Sequence, residues 1–224
     1  MKAPALTGFC CLLGIAMLAI GVGIGFDRDD GKTAASPPGA ALSPAKPPIM
    51  SSPVPCGHPD NSQLCFPGLD TATAMKVLKD TGADCGVKSK SVPLSCHTGP
   101  NELDGADIDF GTSFDDPSKI TGITVMGASR GPGDAPGSEK KAIKYLLLAL
   151  ERGFASLFPE AADFPAKITT RVMETLGRCK AIGWLSMIDG YEVGCTNPRS
   201  ITVPDPAGRV TSWTAFARIS APQG

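Results

Sequence analysis

The chain has 224 residues, of which 42% are hydrophobic, 19% charged and only 6% aromatic, and its formal net charge is -1. A charge this close to zero leaves no excess of Lys and Arg to hold a polyanion, so we expect no nucleic-acid partner. The 26 Gly and 21 Pro exceed average usage, which argues against a bundle of long helices and for many turns with at least one extended linker.

The chain opens with an apolar run that carries no charge from Ala3 to Phe26. A helix of this length rises about 36 Å, enough to cross about 30 Å of hydrocarbon with some tilt. A cleaved signal peptide is the alternative, but the run is longer than the usual apolar segment of such a peptide and no A-x-A triplet closes it. We expect residues 1–26 to be a transmembrane helix that contacts the membrane through residues 3–26.

Residues 27–55 form a segment rich in Pro, Ala and Ser whose apolar content is too low to pack into a core. Pro-rich chain favours the polyproline II conformation, which rises about 3.1 Å per residue and acts as a semi-rigid spacer. The segment is predicted to be a linker that holds the globular part, residues 56–224, away from the bilayer.

Helical periodicity predicts three helices in this globular part. The first follows a cap at Asp70 or Thr71 and stops at Gly82. The second, over residues 138–158, repeats Leu and Phe at helical spacing and is amphipathic. The third begins at Pro165 and carries one apolar stripe.

Alternating apolar and polar residues predict antiparallel strands after the first and third helices. In the stretch ADIDFGTSF the apolar residues, up to and including Phe114, point to one face, and Asp107 and Asp109 point to the other. Asp189-Gly190 separates two such runs and is a strong hairpin signal, because a type I′ turn needs positive φ at both central residues.

Residues 66–130 and 165–220 resemble two copies of one unit. In each, a helix is followed by two cysteines and then by an Asp-Pro turn that leads into a β-branched strand, DPSKITGITVMGA in the first and DPAGRVTSWTAFARI in the second. In this comparison Cys195 takes the position of Cys96. We therefore predict two related helix-plus-antiparallel-sheet units joined by the long helix of residues 138–158.

Six cysteines lie outside the apolar run, at spacings that suit three local disulfide bonds and hence an oxidising compartment. No N-x-S/T glycosylation acceptor occurs, which fits a bacterial periplasm. We expect the chain to cross the bacterial inner membrane once, with its globular part in the periplasm, or to be secreted if the first segment is cleaved. The expected pairs are Cys56 with Cys65, Cys85 with Cys96, and Cys179 with Cys195.

The two histidines limit the chemistry that the chain can perform. A zinc site of Cys56, His58 and Cys65 is conceivable, but the spacing is not that of a zinc knuckle and the thiols are expected to be oxidised. A nucleophile pair of Cys96 and His97 is excluded, because neighbours on a strand point to opposite faces. No hydrolase, metalloprotease or nucleotide-binding motif occurs in a suitable context, so we predict no catalytic residue, no cofactor and no metal.

Acidic residues gather in two places, Asp104, Asp107 and Asp109 in the first and Asp115 and Asp116 in the second. Because Asp107 and Asp109 are two apart on a strand, they share a face and could bind a hard cation such as calcium, or they could form the solvated face of a sheet.

Aromatic residues with polar tips are favoured in cores and at protein interfaces alike. They are Tyr145, Trp184, Tyr191 and Trp213.

The sequence thus predicts an α+β fold, stapled by disulfides, behind an N-terminal transmembrane helix. In architecture alone, tandem helix-plus-sheet units with their own disulfides resemble the β-lactamase inhibitor proteins and the small periplasmic assembly lipoproteins, which implies binding rather than catalysis. We expect a membrane-anchored binding or envelope-structural protein with an envelope protein as its partner. A small-ligand or cation receptor and an enzyme of unrecognised class are the alternatives.

Overall fold

The computed structural model describes residues 51–57, 62–88, 94–101, 103–132, 138–179, 183–206 and 208–222, with the backbone alone for residues 183–185. The predicted transmembrane segment and the first part of the linker lie outside the described residues. Within the part of the chain that is described, no helix is long and apolar enough to cross a membrane.

Helix α1 (Thr71–Asp80) has the predicted boundaries. Its N-cap is Asp70, whose carboxylate accepts a hydrogen bond from the Thr73 amide at 2.7 Å. This backbone hydrogen bond lowers the pKa of Asp70. The chain leaves the helix through Gly82, which has a φ of +90°.

The second predicted helix forms, but its last part is not α-helical. Helix α2 (Ser138–Leu148) continues into a π-helical turn, Ala149–Phe154, and a short 3-10 turn follows. A Cβ on Gly153 would lie 2.6 Å from the Ile108 side chain, so the π-helical turn brings its backbone directly against the sheet. Helix α3 (Asp163–Thr175) begins two residues before Pro165, because proline is tolerated in the first turn of a helix.

Most of the described strands belong to one sheet. Strands β1 and β2 form a small antiparallel pair, and the other seven form a single antiparallel sheet in the order β3-β4-β5-β6-β9-β8-β7. The strands are β1 (Val54–Pro55), β2 (Leu64–Cys65), β3 (Asp84–Gly86), β4 (Leu94–Asn101), β5 (Asp104–Thr112), β6 (Ile120–Pro132), β7 (Gly183–Ile188), β8 (Tyr191–Asp205) and β9 (Gly208–Ser220).

The two predicted units therefore do not have a sheet each. Strand β6 from the first half pairs with β9 from the second half from Gly122 to Pro132, which joins both halves into one α+β structure with a large antiparallel sheet. The expected match between Cys96 and Cys195 is wrong, because Cys96 lies on β4, separated from β6 by β5, whereas Cys195 lies on β8, next to β9. The duplication itself stays a prediction.

All three described α-helices pack on one side of the seven-stranded sheet, which we call the covered face. Its residues are buried, and Ile108, Val125 and Ile219 are inaccessible to solvent. Helix α2 approaches β6 so closely that a Cβ on Gly127 would collide with the Ala142 carbonyl oxygen. No described helix packs on the opposite side, which we call the open face.

Two local predictions have opposite outcomes. The hairpin between β7 and β8 is confirmed, with φ of 50° at Asp189 and 88° at Gly190. The prediction for Phe114 is wrong, because β5 ends at Thr112 after a register shift and the Phe114 side chain is 94% exposed. The alternation of the strand thus stops before it reaches Phe114.

The disulfide bonds join the predicted partners. Cys85 faces Cys96 across β3 and β4, and the two are bonded. The other bonds link Cys56 with Cys65 and Cys179 with Cys195.

The end of the predicted linker belongs to the globular part. Val54 and Pro55 form strand β1, and the Tyr191 hydroxyl donates a hydrogen bond to the Ser51 carbonyl oxygen at 3.2 Å. Tyr191 is otherwise a core residue that stacks on Phe66 with ring centroids 4.5 Å apart, and its burial raises the pKa of the hydroxyl.

Candidate functional site

A polar network lies on the open face where β4 and β5 pair. His97 Nδ1 lies 2.7 Å from an Asp107 oxygen, and the Lys88 ammonium lies 3.0 Å from Asp107 and 3.6 Å from Asp109. The Ser95 hydroxyl donates to Asp109 at 2.5 Å. The predicted position of Asp107 and Asp109 on one face is confirmed, and both carboxylates contact donors of the protein itself.

Both ring nitrogens of His97 lie within hydrogen-bond distance of oxygens of the protein. Its Nε2 lies 2.9 Å from the Asn101 carbonyl oxygen, which can only accept, so Nε2 carries a proton and donates it to this bond. A Cβ on Gly105 would lie 2.8 Å from His97 Cε1, so the ring packs closely over this glycine. With one nitrogen beside Asp107 of β5 and the other beside Asn101 of β4, the imidazole connects the two strands.

Lys88 joins the two carboxylates of the network. Partial burial alone would lower the pKa of Lys88, but the hydrogen bond to Asp107 and the charges of Asp107 and Asp109 outweigh it and raise the pKa. The lysine is therefore firmly cationic, and the network is an ion-pair cluster on the surface of the sheet.

Two large apolar side chains, Met126 and Phe216, lie near the middle of the open face. Strand register places Asp107 of the network opposite Met126 on β6, Met126 opposite Phe216 on β9, and Phe216 opposite Thr196 on β8. Met126 and Phe216 are both partly exposed. Thr196 is buried, and its hydroxyl has no hydrogen-bond partner among the described residues. An apolar centre beside a charged border is the usual composition of a protein-binding surface.

Strands β6, β9 and β8 continue past the ends of β4 and β5 as a three-stranded ribbon. On its open face Ile201 is 69% and Val203 42% exposed. Arg130 and Arg199 lie on the same face of the ribbon, beside Ser212 and Thr214 of β9 respectively.

Two grooves of similar size lie on the surface of the described residues. One, of about 620 Å³, runs between α3 and the β7–β8 hairpin, where the Lys167 ammonium donates to both oxygens of Asp189 at 2.9 and 3.1 Å. The other, of about 630 Å³, lies between the β4–β5 turn and the ribbon and is lined by Leu103, Arg130 and Val210. Neither groove contains a histidine, a cysteine or an arrangement of catalytic groups.

The remaining predicted site residues do not come together. Cys56 and Cys65 are joined in a disulfide, so neither supplies a thiolate to the conceivable zinc site, and His58 lies outside the described residues. Cys96 is buried in its disulfide on the covered face while His97 lies on the open face, as expected for strand neighbours. No group of three or more His, Cys, Asp or Glu side chains in the described part of the chain could hold a metal ion.

The sequence reasoning missed the residues that dominate the open face. Met126 and Phe216 were not singled out, although each lies on a predicted strand one residue away from a core position, Val125 and Ala217 respectively. Their alternation with these core residues was the available signal.

Compared with protein-family models, with curated proteins and with solved structures, the chain has no match.

Proposed function

We propose that this chain is a membrane-anchored binding protein of the bacterial periplasm that takes an envelope protein on the open face of its sheet. The observation that carries the proposal is the uncovered centre of that face, where Met126 and Phe216 are partly exposed between charged residues. Aromatic residues, methionine and arginine are enriched at protein interfaces, and antiparallel sheets with one free face present a rigid surface.

The compartment and the anchor are supported by separate observations. Three disulfide bonds favour an oxidising environment. The uncharged run from Ala3 to Phe26 has the length of a membrane-spanning helix, and the Pro-rich segment after it supplies the reach of a tether.

Enzymatic and receptor functions receive less support from the geometry. Both ring nitrogens of His97 lie beside oxygens of the protein, and the acidic pair next to it contacts Lys88 and Ser95. A ligand at the junction of the two halves would have to lie between β6 and β9, where the covered face is filled by the close approach of α2 at Gly127.

Site-specific photocrosslinking tests the proposal. Phe216 is replaced by a photoreactive phenylalanine analogue in the full chain in its native membrane, and Lys144, exposed on α2 behind the sheet, carries the same group in the control. We expect one protein to be captured from position 216 and not from 144, and its capture to fall at least tenfold when Met126→Asp is added. Equal adducts from both positions, or no adduct from 216, would overturn the proposal.

A further inference from the structure

The loop between β5 and β6 presents an aromatic side chain to solvent. Phe114 is 94% exposed, the most exposed of the large hydrophobic side chains in the described residues. Asp115 and Asp116 follow it directly, so the aromatic ring is flanked by carboxylates on one side. A phenylalanine at such a position costs solubility unless something covers it.

This loop is held in one conformation by hydrogen bonds. Asp116 accepts from the Ser118 amide at 2.9 Å and from its hydroxyl at 2.6 Å, and these bonds lower the pKa of Asp116. The Ser113 amide donates to the Lys119 carbonyl oxygen at 2.9 Å and closes the base of the loop. Phe114 is thus carried on a pre-organised turn, which lowers the entropy cost of binding.

A groove of complementary character lies at the other end of the sheet. It is the groove of about 630 Å³ between the β4–β5 turn and the ribbon, and its apolar walls are Leu103, Pro132 and Val210. Leu103 is half exposed. Benzyl side chains bind in grooves of this kind when aliphatic groups contact both sides of the ring.

Two arginines, Arg130 and Arg209, are among the described residues that line this groove, and neither forms an ion pair with another described residue. Asp104 also lines the groove, but one of its oxygens accepts a hydrogen bond from the Arg130 amide at 3.0 Å. The groove therefore offers two arginines to an incoming acidic group.

A chain cannot place its own Phe114 in its own groove. Strand β6 runs from Ile120 beside the loop to Pro132 in the groove, which is about 40 Å at the usual rise per residue. The two surfaces therefore lie at opposite ends of one rigid sheet, and only a second molecule can bring them together.

We propose that this protein associates with itself from head to tail, with the Phe114 loop of one copy in the Leu103–Arg130–Val210 groove of the next. Asp115 and Asp116 would then face Arg130 and Arg209 across the contact. The contact is heterologous because it joins two different surfaces. A pair of copies therefore leaves one loop and one groove unoccupied, and further copies can add until they form a closed ring or an open row. Met126 and Phe216, at the centre of the open face, are not among the residues of this contact.

A position-specific crosslink between copies tests this contact in the full chain. Phe114 is replaced by a photoreactive phenylalanine analogue in a ¹⁵N-labelled chain, which is mixed in detergent with unlabelled chain, irradiated and digested. Mass spectrometry is expected to find heavy–light adducts from position 114 to peptides that contain Leu103, Arg130 or Val210. Absence of heavy–light adducts, or adducts confined to other regions, would overturn the proposal. Because the readout is the crosslinked position, association through residues 1–26 does not imitate it.

Charge reversal in the same assay examines the arginines. Arg209→Glu is expected to reduce the adduct yield at least tenfold, and Asp115→Arg in the chain with Arg209→Glu is expected to restore at least part of it. Met173→Glu, which changes an exposed apolar residue on α3, is the control and should leave the yield unchanged. Equal yields for Arg209→Glu and Met173→Glu would contradict the contact. Since these variants leave Met126 and Phe216 untouched, failure here does not affect the proposed partner-binding surface.

Discussion

The two faces of the seven-stranded sheet are made from alternate residues of the same strands, yet they differ in almost every property. On β5, Ile108 and Phe110 are buried under the helices, whereas Asp107 and Asp109 lie on the open face in an ion-pair cluster. Because side chains alternate along a strand, a single residue step separates the core from the surface. The hydrophobic core therefore lies on one side of the sheet and the polar network on the other.

The two faces also differ in how closely other groups approach. At Gly127 the backbone of α2 occupies the space where a side chain would be, while a Cβ on Gly122 of the same strand would meet nothing closer than 3.5 Å. An added methyl group therefore collides with the backbone at Gly127 on the covered face, whereas at Gly122 on the open face it makes only an ordinary contact. Substitutions on one face should change stability, and substitutions on the other should change interactions.

The largest difference is expected between Ile108→Ala and Asp109→Asn. Ile108 is fully buried among helix and sheet residues, so its truncation should lower the free energy of unfolding by about 3 kcal/mol. In Asp109→Asn the side chain keeps its shape and loses one partly exposed ion pair, which should cost less than about 1 kcal/mol. Urea unfolding of oxidised protein, followed by tryptophan fluorescence, measures both. Equal losses would mean that the open face is a second core.

Local features of this fold were predictable because short-range geometry determines them. Asp189 and Gly190 alone specify a tight turn, and Asp70 specifies a helix start, whatever lies elsewhere in the chain. The disulfide partners could be predicted for the same reason, since each pair is close in sequence. The covered and open sides of β5 followed from the alternation of Asp107 and Ile108 with their neighbours.

The arrangement of the two halves could not be predicted in this way. The sequences of β6 and β9 do not predict that these two strands pair. The pairing joins segments that are distant in the chain, and any two apolar strands are chemically compatible. The same holds for the candidate binding surface: Met126 and Phe216 become neighbours only through this register. The prediction that Phe114 shares a face with Ile108 and Phe110 fails because it extends the alternation beyond the end of strand β5.

An intermediate effect is expected from adding one methyl group to a glycine of β6. Gly127→Ala places a Cβ against the backbone of α2, so the helix must shift, at a cost of about 2 kcal/mol in the free energy of unfolding. Gly122→Ala is the matched control on the open face and should change stability by less than about 0.5 kcal/mol. The two variants are compared by thermal unfolding followed by circular dichroism. If Gly127→Ala is as stable as Gly122→Ala, α2 does not press on the sheet as described.

The smallest effect is expected from Lys88→Met, which removes the cation from the network on the open face. Its ion pairs are partly exposed, so the loss should be about 0.5 kcal/mol at low salt and should disappear in high salt. Because the folded protein raises the pKa of Lys88, its contribution is present below the ordinary lysine pKa of about 10.4 and is lost as the pH rises through the higher folded value. The difference between Lys88→Met and the unchanged chain should therefore be constant from about pH 6 to 9 and shrink only in stronger alkali. Lys76→Met, which breaks a more exposed pair with Asp80, is the matched control and should cost less. A loss of several kcal/mol for Lys88→Met would place part of the core on the open face and remove the physical basis for separating the two sides of the sheet.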